Sequence, residues 1–192
     1  MSIFEHVSVF ISIILGLGVV HLLGGISLIL DTRVRARVYW IHLLWTANLL
    51  LLSVLVWLAN FVLSPLETFS APHILNLVAY SMTIYLMCGL LYPVRGGEVT
   101  DFREHFHANR VRFYVVGLLF VATDALDGVL ERQVTHLDFN PFQYGTLGVW
   151  AGCFMIAMLK DEEWIQGTTV VVFFLGLLGF LESLIRTGVI GS

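Results

Sequence analysis

Three acidic residues at helical spacing are the side chains in this sequence best suited to chemistry. Asp124, Asp127 and Glu131 are spaced i, i+3 and i+7, so a helix places all three on one face. The apolar stretch before them, residues 113–123, covers only about half of a membrane span. The acids are therefore embedded in a spanning helix or line a cavity at its end. Because a carboxylate at the centre of a bilayer costs about 2.5–3.5 kcal/mol or more, an intramembrane acid is a candidate site for a proton or a cation.

Glu182, near the end of the last apolar segment, extends this candidate site to a second helix. The alternative role of the acids is structural. Arg132, Arg186 or a tyrosine would then pair with Asp124 or Asp127 and lock neighbouring helices together. The sequence leaves both roles open, because the cost of burying a carboxylate falls toward the membrane interface.

Two histidines lie within apolar segments, and their spacing relative to glycines and polar residues directs them inward. His21 is flanked by Gly18 and Gly25 at i−3 and i+4, so it faces the same close-packed seam. His42 begins a polar stripe that stays within about 40° of arc at about 100° per residue. Hydrogen bonds between helices, worth about 0.6 kcal/mol each, account for the presence of the hydroxyl side chains in this stripe. The two histidines and the asparagine of the stripe are candidates for a proton pathway. The stripe continues through Thr46, Ser53 and Asn60.

Motifs of enzymes and metal sites are absent from the sequence. It contains no Gly-x-Ser-x-Gly elbow, no His-Glu-x-x-His and no phosphate-binding glycine loop. His105 and His107 would point to different faces of a helix, which makes a poor zinc pair. Neither His21 nor His42 has a second histidine at ligand spacing on its own helix, which disfavours haem or metal binding. We therefore expect no metal and no cofactor, and a lipid-acting enzyme stays open only as a third hypothesis.

The elements that must position these residues are membrane-spanning helices. Of the 192 residues 58% are hydrophobic and only 12% are charged, and the mean hydropathy is +0.87. About 20 apolar residues cross a bilayer, and six such segments predict an all-α, six-helix transmembrane bundle that forms a single domain. Residues 100–110 read as an amphipathic turn at the headgroup level, with Asp101 and Glu104 as a capping pair. The segments lie near 7–30, 38–63, 72–92, 111–130, 142–160 and 163–185.

Basic residues orient the bundle. With six spans both termini lie on one side of the membrane, and that side carries only Arg132 and Arg186 among the ten Lys and Arg residues. The positive-inside rule therefore predicts extracytoplasmic termini and cytoplasmic loops on the opposite side. The acidic residues divide evenly, seven on each side, so the terminal side is net negative and would concentrate cations. The opposite side carries Arg33, Arg35, Arg37, Arg95, Arg103, Arg110, Arg112 and Lys160.

Six of these arginines are also candidates for binding anionic lipid headgroups, each worth about 1 kcal/mol close to the surface. The alternative is that they only set the topology. The six are Arg33, Arg35, Arg37, Arg103, Arg110 and Arg112.

Small residues mark the faces where helices approach closely. Gly18 and Gly25 are heptad-spaced on the first helix, and a polar face on the third must also point inward. The marked contacts lie within one chain or between chains, and the spacing leaves both open. The remaining members are Gly145, Gly148 and Gly152 on the fifth helix, Gly176 and Gly179 on the sixth, and the polar residues Asn76, Tyr80 and Thr83 on the third.

Three stretches of the chain resemble a group of small bacterial multi-pass membrane proteins. They are Ser8 to Gly18, the run Tyr-Trp-x-His-Leu-Leu-Trp at 39–45, and His-Ala-Asn-Arg at 107–110. The likeness covers the first two helices best. It implies a location in the bacterial inner membrane but no chemistry, and the aspartates of the fourth helix are not part of the pattern.

The function predicted from these observations is conduction or transport of protons or small cations through an acidic extracytoplasmic vestibule. The alternative is a non-catalytic accessory or scaffold subunit whose glycine faces dock a larger membrane complex. Membrane lipids are the expected partners, together with a second copy of the chain or a larger membrane complex. No nucleic-acid partner is expected.

Overall fold

The structure is a computed structural model that describes residues 3–31, 37–60, 70–93, 101–135 and 141–186. Six helices make up nearly all of these residues, and each contains a stretch long and apolar enough to cross a membrane. The predicted all-α six-helix bundle is therefore confirmed. The helices are α1 (Ile3–Leu30), α2 (Trp40–Ala59), α3 (Ala71–Leu91), α4 (Phe102–Thr135), α5 (Pro141–Leu159) and α6 (Glu163–Arg186).

The helices pack as a closed ring in the order α1, α3, α4, α5, α6, α2. The helix α2 also contacts α3 and α4 across the ring and is the most buried of the six. Successive helices run in opposite directions, so the bundle has two ends. We call the end where α1 begins and α6 ends the terminus end. The other, which carries the tight turn of residues 160–162 between α5 and α6, is the turn end.

Side-chain caps fix where two of the helices begin. Ser70 Oγ accepts a hydrogen bond from the His73 backbone N–H at 3.4 Å, and a proline follows in the first turn of α3. Asp101 Oδ1 accepts from the N–H groups of Arg103 and Glu104 at 2.8 and 3.3 Å. These bonds satisfy donors that a helix leaves unpaired in its first turn. The capping role expected of Asp101 is therefore present.

Residues 102–110, which lie in the segment predicted as an amphipathic turn, form the first part of α4. This helix runs without a break through 34 residues, about 51 Å at 1.5 Å per residue. Phe102 and Phe106 are 0% and 2% exposed, so their rings lie in the bundle core. The Phe102 N–H donates to the Arg37 carbonyl at 3.1 Å, and the two rings pack against His42 and Tyr39. Because these two rings are buried one turn apart, the fourth helix begins at Phe102 and not near residue 111, where the sequence analysis predicted its start.

Glycines on α1 allow close contact with α3, as their spacing predicted. A Cβ added at Gly18 would lie 3.3 Å from Cys88 Sγ, and one added at Gly25 would lie only 2.3 Å from the ring of Tyr92. The second distance is shorter than any real contact of this type, so only glycine fits beneath that ring.

Glycines on α5 and α6 behave differently from one another. On α6, an added Cβ would clash with Trp150 at Gly176, 2.6 Å away, and with Phe142 at Gly179, 2.9 Å away. The three α5 glycines would meet nothing within 4 Å. They therefore make no close helix contact with the described part of this chain. These three are Gly145, Gly148 and Gly152.

Candidate functional site

A cavity of about 290 Å³ lies in the half of the bundle nearer the terminus end, and all six helices contribute to its lining. We call it the acidic cavity, because Asp124, Asp127 and Glu131 line it along α4. Residues nearest the middle of the bundle form its floor, and residues at the helix ends form its mouth. The floor contains Leu52, Phe120, Trp150 and Gly176, and the mouth contains Asn60, Glu131, Phe142 and Leu184.

The acids form a ladder along the cavity. Asp124 is the deepest, Asp127 lies almost one turn nearer the mouth, and Glu131 lies one turn further, a total of about 10 Å along the helix axis. The Gln143 side chain on α5 hydrogen-bonds to Asp124. Like charges at this spacing on one helix repel each other. The ladder therefore favours any ligand or proton that removes part of its negative charge.

Helix α3 holds Asp127 in place. Asn76 Nδ2 donates to Asp127 Oδ1 at 3.2 Å and to the Thr123 carbonyl at 3.1 Å. His73 Nε2 lies 3.4 Å from the same carboxylate oxygen, and the His73 side chain is completely buried. Tyr80, further along this face of α3, lines the cavity and stacks on Phe120 with ring centroids 5.3 Å apart. The carboxylate thus has a fixed position beside a group that can exchange a proton.

His73 is the residue that the sequence analysis missed. Its signal was present, since His73, Asn76 and Tyr80 are spaced i, i+3 and i+7 on one helix face. The histidine stands in the first turn of α3 beside a proline, where a polar side chain is usually solvated. Its burial depends on the length of α4, which reaches past this turn and covers it.

The two arginines proposed as lock partners make other contacts. The Arg132 guanidinium donates to Tyr144 Oη at 3.2 Å and lies 5.6 Å from the centre of that ring. Arg186 pairs with Glu182 at 2.5 Å, and both side chains are largely exposed. Glu182 is not one of the described residues that line the cavity. The structure therefore brings Asp124, Asp127, Glu131 and Asn60 together around one cavity and leaves Glu182 on the surface of α6.

Five packed rings lie between the acidic cavity and the turn end, and we call them the aromatic plug. Their side chains are at most 1% exposed and come from α2, α4, α5 and α6. Neighbouring ring centroids are 4.9 to 5.7 Å apart, and Phe173 lies 4.4 Å from Trp150 at the cavity floor. Such packing leaves no passage from the floor toward the turn end between the described parts of these helices. The plug consists of Trp45, Phe113, Tyr114, Phe154 and Phe173.

The two histidines predicted for a proton pathway lie together, but near the turn end and apart from the cavity. His42 Nε2 donates to the Leu91 carbonyl at 2.8 Å, and His21 Nε2 donates to the Tyr92 carbonyl at 3.1 Å. The phenol of Tyr92 lies 3.1 Å from Thr46 Oγ1. The last carbonyls of a helix have no partner within it, so both histidines cap the C-terminus of α3.

The polar stripe on α2 faces the interior, as predicted. The exposed fractions of its four members are 0%, 2%, 2% and 9% from the turn end to the terminus end. Only Asn60 reaches the acidic cavity, where its Nδ2 donates to the Val56 carbonyl at 3.0 Å. The others are His42, Thr46 and Ser53, and the last two hydroxyls bond to carbonyls one turn back in α2.

The basic residues of the turn end divide into paired and exposed groups. Arg103 pairs with Glu163 at 2.8 Å, and Asp161 receives both Arg110 at 2.9 Å and His107 at 2.6 Å. These contacts tie the start of α4 to the turn between α5 and α6. Arg37 and Arg112 are exposed, whereas Arg33 and Arg35 lie outside the described residues.

Tyr39 lies beside this charged group at the turn end. Its ring is 5.8 Å from the Arg103 guanidinium and 5.8 Å from the ring of His107. Burial, reinforced by the negative charge of Glu163, raises the pKa of Tyr39 to about 12. The phenol is therefore neutral across the physiological range.

No protein-family model, no curated protein and no solved structure matches the chain. Within the described residues, no group of three His, Cys, Asp or Glu side chains is close enough to hold a metal ion. Function must therefore be argued from the acidic cavity and the plug beneath it.

Proposed function

We propose that the protein binds a proton or a small cation in the acidic cavity and transports it across the bacterial inner membrane. The observation that carries this proposal is the alignment of three α4 carboxylates along a 290 Å³ cavity enclosed by all six helices. Carboxylates at membrane depth are costly, so they are retained where they exchange protons or bind cations. The eight-to-two distribution of basic residues supports a cavity that opens to the extracytoplasmic side.

The aromatic plug favours a carrier over an open channel. A cation that leaves Asp124 toward the turn end meets Phe120 and Trp150 and then the packed rings of the plug. Closely packed rings do not open by small adjustments, so passage requires two arrangements of the bundle, one open at each end. Alternating access of this kind moves one helix group against another around a central site.

Asp127 and His73 supply the steps that couple binding to proton exchange. The carboxylate shares a hydrogen bond with Asn76 and lies 3.4 Å from His73 Nε2. A cation bound at the ladder would therefore compete with a proton for the same carboxylate oxygens. The histidine is positioned to accept or return that proton without direct exposure of the site to lipid.

The test is flux into liposomes that contain the purified full-length chain. The wild-type protein should carry H⁺, Na⁺ or K⁺ down an imposed gradient faster than empty liposomes. Asp124→Asn and Asp127→Asn should each reduce the rate at least tenfold, because the amide keeps the shape of the acid and removes its charge. The matched control is Glu182→Gln, which removes a carboxylate from the exposed face of α6 and should leave the rate unchanged.

Two results would overturn the proposal. The first is folded wild-type protein that carries none of the three cations. The second is equal flux in Asp124→Asn, Asp127→Asn and wild-type protein. Yield and thermal unfolding of each variant identify a rate that falls only because the protein is lost.

An accessory-subunit role stays the alternative, and one observation favours it. Gly145, Gly148 and Gly152 face away from the described chain with nothing within 4 Å of an added Cβ. Small residues at this spacing allow another membrane helix to approach. Absence of flux together with stoichiometric purification in a larger membrane complex would replace transport with this role.

A further inference from the structure

We infer that the cation which occupies the acidic cavity is an alkali-metal ion, held by one carboxylate and by neutral oxygens from three other helices. This inference rests on the proposed function and names the substrate class of the same site. The carboxylate is that of Asp124 on α4. The neutral oxygens belong to Asn60 on α2, Tyr80 on α3 and Thr146 on α5, and all four residues line the cavity.

The hydroxyl of Tyr80 faces the two aspartates of the cavity. Helix side chains lean toward the N-terminus of their own helix. Tyr80 on α3 therefore leans from the cavity floor toward the mouth, whereas Asp124 and Asp127 on α4 lean toward the floor. The phenol interacts electrostatically with both carboxylates, most strongly with that of Asp124. Its oxygen has no hydrogen-bond partner among the described residues and is not enclosed by them, so it faces the space in front of the acids.

Asn60 presents a second neutral oxygen to the cavity. The residue is 9% exposed, and its Nδ2 donates to the Val56 carbonyl at 3.0 Å. Because that partner is a carbonyl, the bonded atom is the amide nitrogen, and Oδ1 is left as an acceptor. This oxygen has no partner among the described residues. Buried amide oxygens are normally paired, so a bound ion or its water supplies the missing partner.

Thr146 adds an oxygen from α5. Its Oγ1 donates to the Phe142 carbonyl at 2.9 Å, which uses the hydrogen of the hydroxyl and leaves its lone pairs as acceptors. Four helices thus supply these oxygens to one cavity. A proton needs only one carboxylate, whereas a hard metal cation needs about six oxygens, from protein and water, on several sides. The neutral oxygens therefore favour a metal cation over a proton.

The supply of charge and space favours a monovalent ion. A divalent ion is stabilised by several carboxylates around it, and the described residues contain no group of three His, Cys, Asp or Glu side chains close enough to hold a metal ion. Neutral oxygen dipoles can replace the water around a monovalent cation. The cavity volume of about 290 Å³ equals about ten water molecules at about 30 Å³ each. An alkali-metal ion therefore keeps part of its water in the cavity.

The test is thermal unfolding of the purified full-length protein in detergent, with NaCl or KCl replacing N-methyl-D-glucamine chloride at constant ionic strength. A ligand that binds only the folded protein raises the unfolding temperature as its concentration increases, and this dependence gives its dissociation constant. At least one of Na⁺ and K⁺ should stabilise the protein in this way. Asp124→Asn should weaken binding of that ion at least tenfold, and the control Glu182→Gln should not change its affinity.

Two variants of nearly unchanged shape isolate the neutral oxygens. Tyr80→Phe keeps the ring that stacks on Phe120 at 5.3 Å and removes only its hydroxyl, and Thr146→Val keeps the branched side chain and removes the other hydroxyl. Each should weaken binding of the ion at least threefold, because one oxygen that contacts a charge is lost. The matched control is Tyr85→Phe on the same helix, since Tyr85 is 39% exposed and does not line the cavity. These variants keep all the acids and so remain informative if Asp124→Asn fails to fold.

The outcomes separate this inference from the proposed function. An ion affinity that is unchanged in both Tyr80→Phe and Thr146→Val would overturn the inference, as would the absence of stabilisation by either ion. Flux of H⁺ in the same preparation would then leave transport intact. Stabilisation that depends on Asp124 and on the two hydroxyls, in a protein that transports none of the three cations, would support the ligand class and end the transport proposal.

Discussion

Replacing His42 by leucine tests which contacts stabilise the half of the bundle nearer the turn end. The His42 side chain is completely buried, and its Nε2 donates to the Leu91 carbonyl at 2.8 Å. Its ring lies 4.7 Å from Tyr92 and 4.8 Å from Phe102. Leucine fills much of the same space but has no donor, so the change removes one hydrogen bond and two ring contacts.

The expected loss follows from these contacts. A buried acceptor left without a donor costs about 1–3 kcal/mol, and each aromatic pair contributes about 0.5–1.5 kcal/mol. Hydrogen bonds between membrane helices average only about 0.6 kcal/mol, because the groups find other partners. The Leu91 carbonyl is in the last turn of α3, where no donor of its own helix reaches it, but the His105 side chain of α4 also hydrogen-bonds to the Leu90 and Leu91 carbonyls. Because His105 leaves this acceptor partly paired, we expect the free energy of unfolding to fall by about 1–3 kcal/mol, near the lower end of these ranges.

The measurement is reversible unfolding of the purified protein in mixed micelles, followed as the concentration of denaturant is increased. His42→Gln is the matched control, because its amide keeps an N–H that can reach the Leu91 carbonyl, and it should recover at least half of the loss. Equal stability of the leucine variant and the wild-type protein would refute the capping role. A glutamine variant as unstable as the leucine variant would show that ring packing, not the hydrogen bond, holds the end of α3.

Three further predictions concern orientation, packing and pH. Reporter fusions at the C-terminus should show an extracytoplasmic end, and a cytoplasmic signal there would contradict the orientation drawn from the basic residues. Gly25→Ala should lower stability by about 1–3 kcal/mol, because its Cβ would lie 2.3 Å from the Tyr92 ring. The control Gly148→Ala meets nothing within 4 Å and should be neutral in thermal unfolding of the monomer, so equal losses in both would refute the packing argument. Since burial raises the pKa of Tyr39 from 10.0 to about 12, the folded state keeps a proton that the unfolded state releases, and stability falls as pH rises from about 10 to 12. Tyr39→Phe should flatten that slope in denaturation measured at a series of pH values, and an unchanged slope would exclude Tyr39 as its origin.

The six helices were predictable because each apolar segment is long enough to cross the membrane and the turns between them are short. The inward orientation of the polar stripe on α2 was equally predictable, since four polar residues that recur at the period of a helix would all face lipid if the stripe pointed outward. The acidic ladder followed from the same periodicity. These features depend on local spacing along one helix, and such spacing is written directly in the sequence.

The features that could not be predicted depend on which helices meet. Lipid tails are as apolar as leucine, so hydrophobicity does not distinguish a lipid-facing glycine from a packed one. Spacing alone therefore predicts the same kind of helix contact for Gly25, which lies under a ring, and for Gly148, which meets nothing within 4 Å. The capping role of His42 and the burial of His73 could not be predicted without knowing where the two ends of α3 lie. The burial of Phe106 could not be predicted without knowing the full length of α4.

The aromatic plug also determines where an electric field would act on this protein. Along α4 the distance from Phe113 in the plug to Phe120 at the cavity floor is about 10 Å, against about 30 Å of surrounding hydrocarbon. If the acidic cavity fills with water, it carries the potential of its solution down to that floor, and the voltage across the membrane then falls over the plug and over the buried Phe106 and Phe102 beyond it. Each elementary charge moved through it then exchanges about 2.3 kcal/mol per 100 mV. Under the proposed transport, the step past Phe120 would therefore depend on voltage, whereas binding at Glu131 would be nearly independent of it.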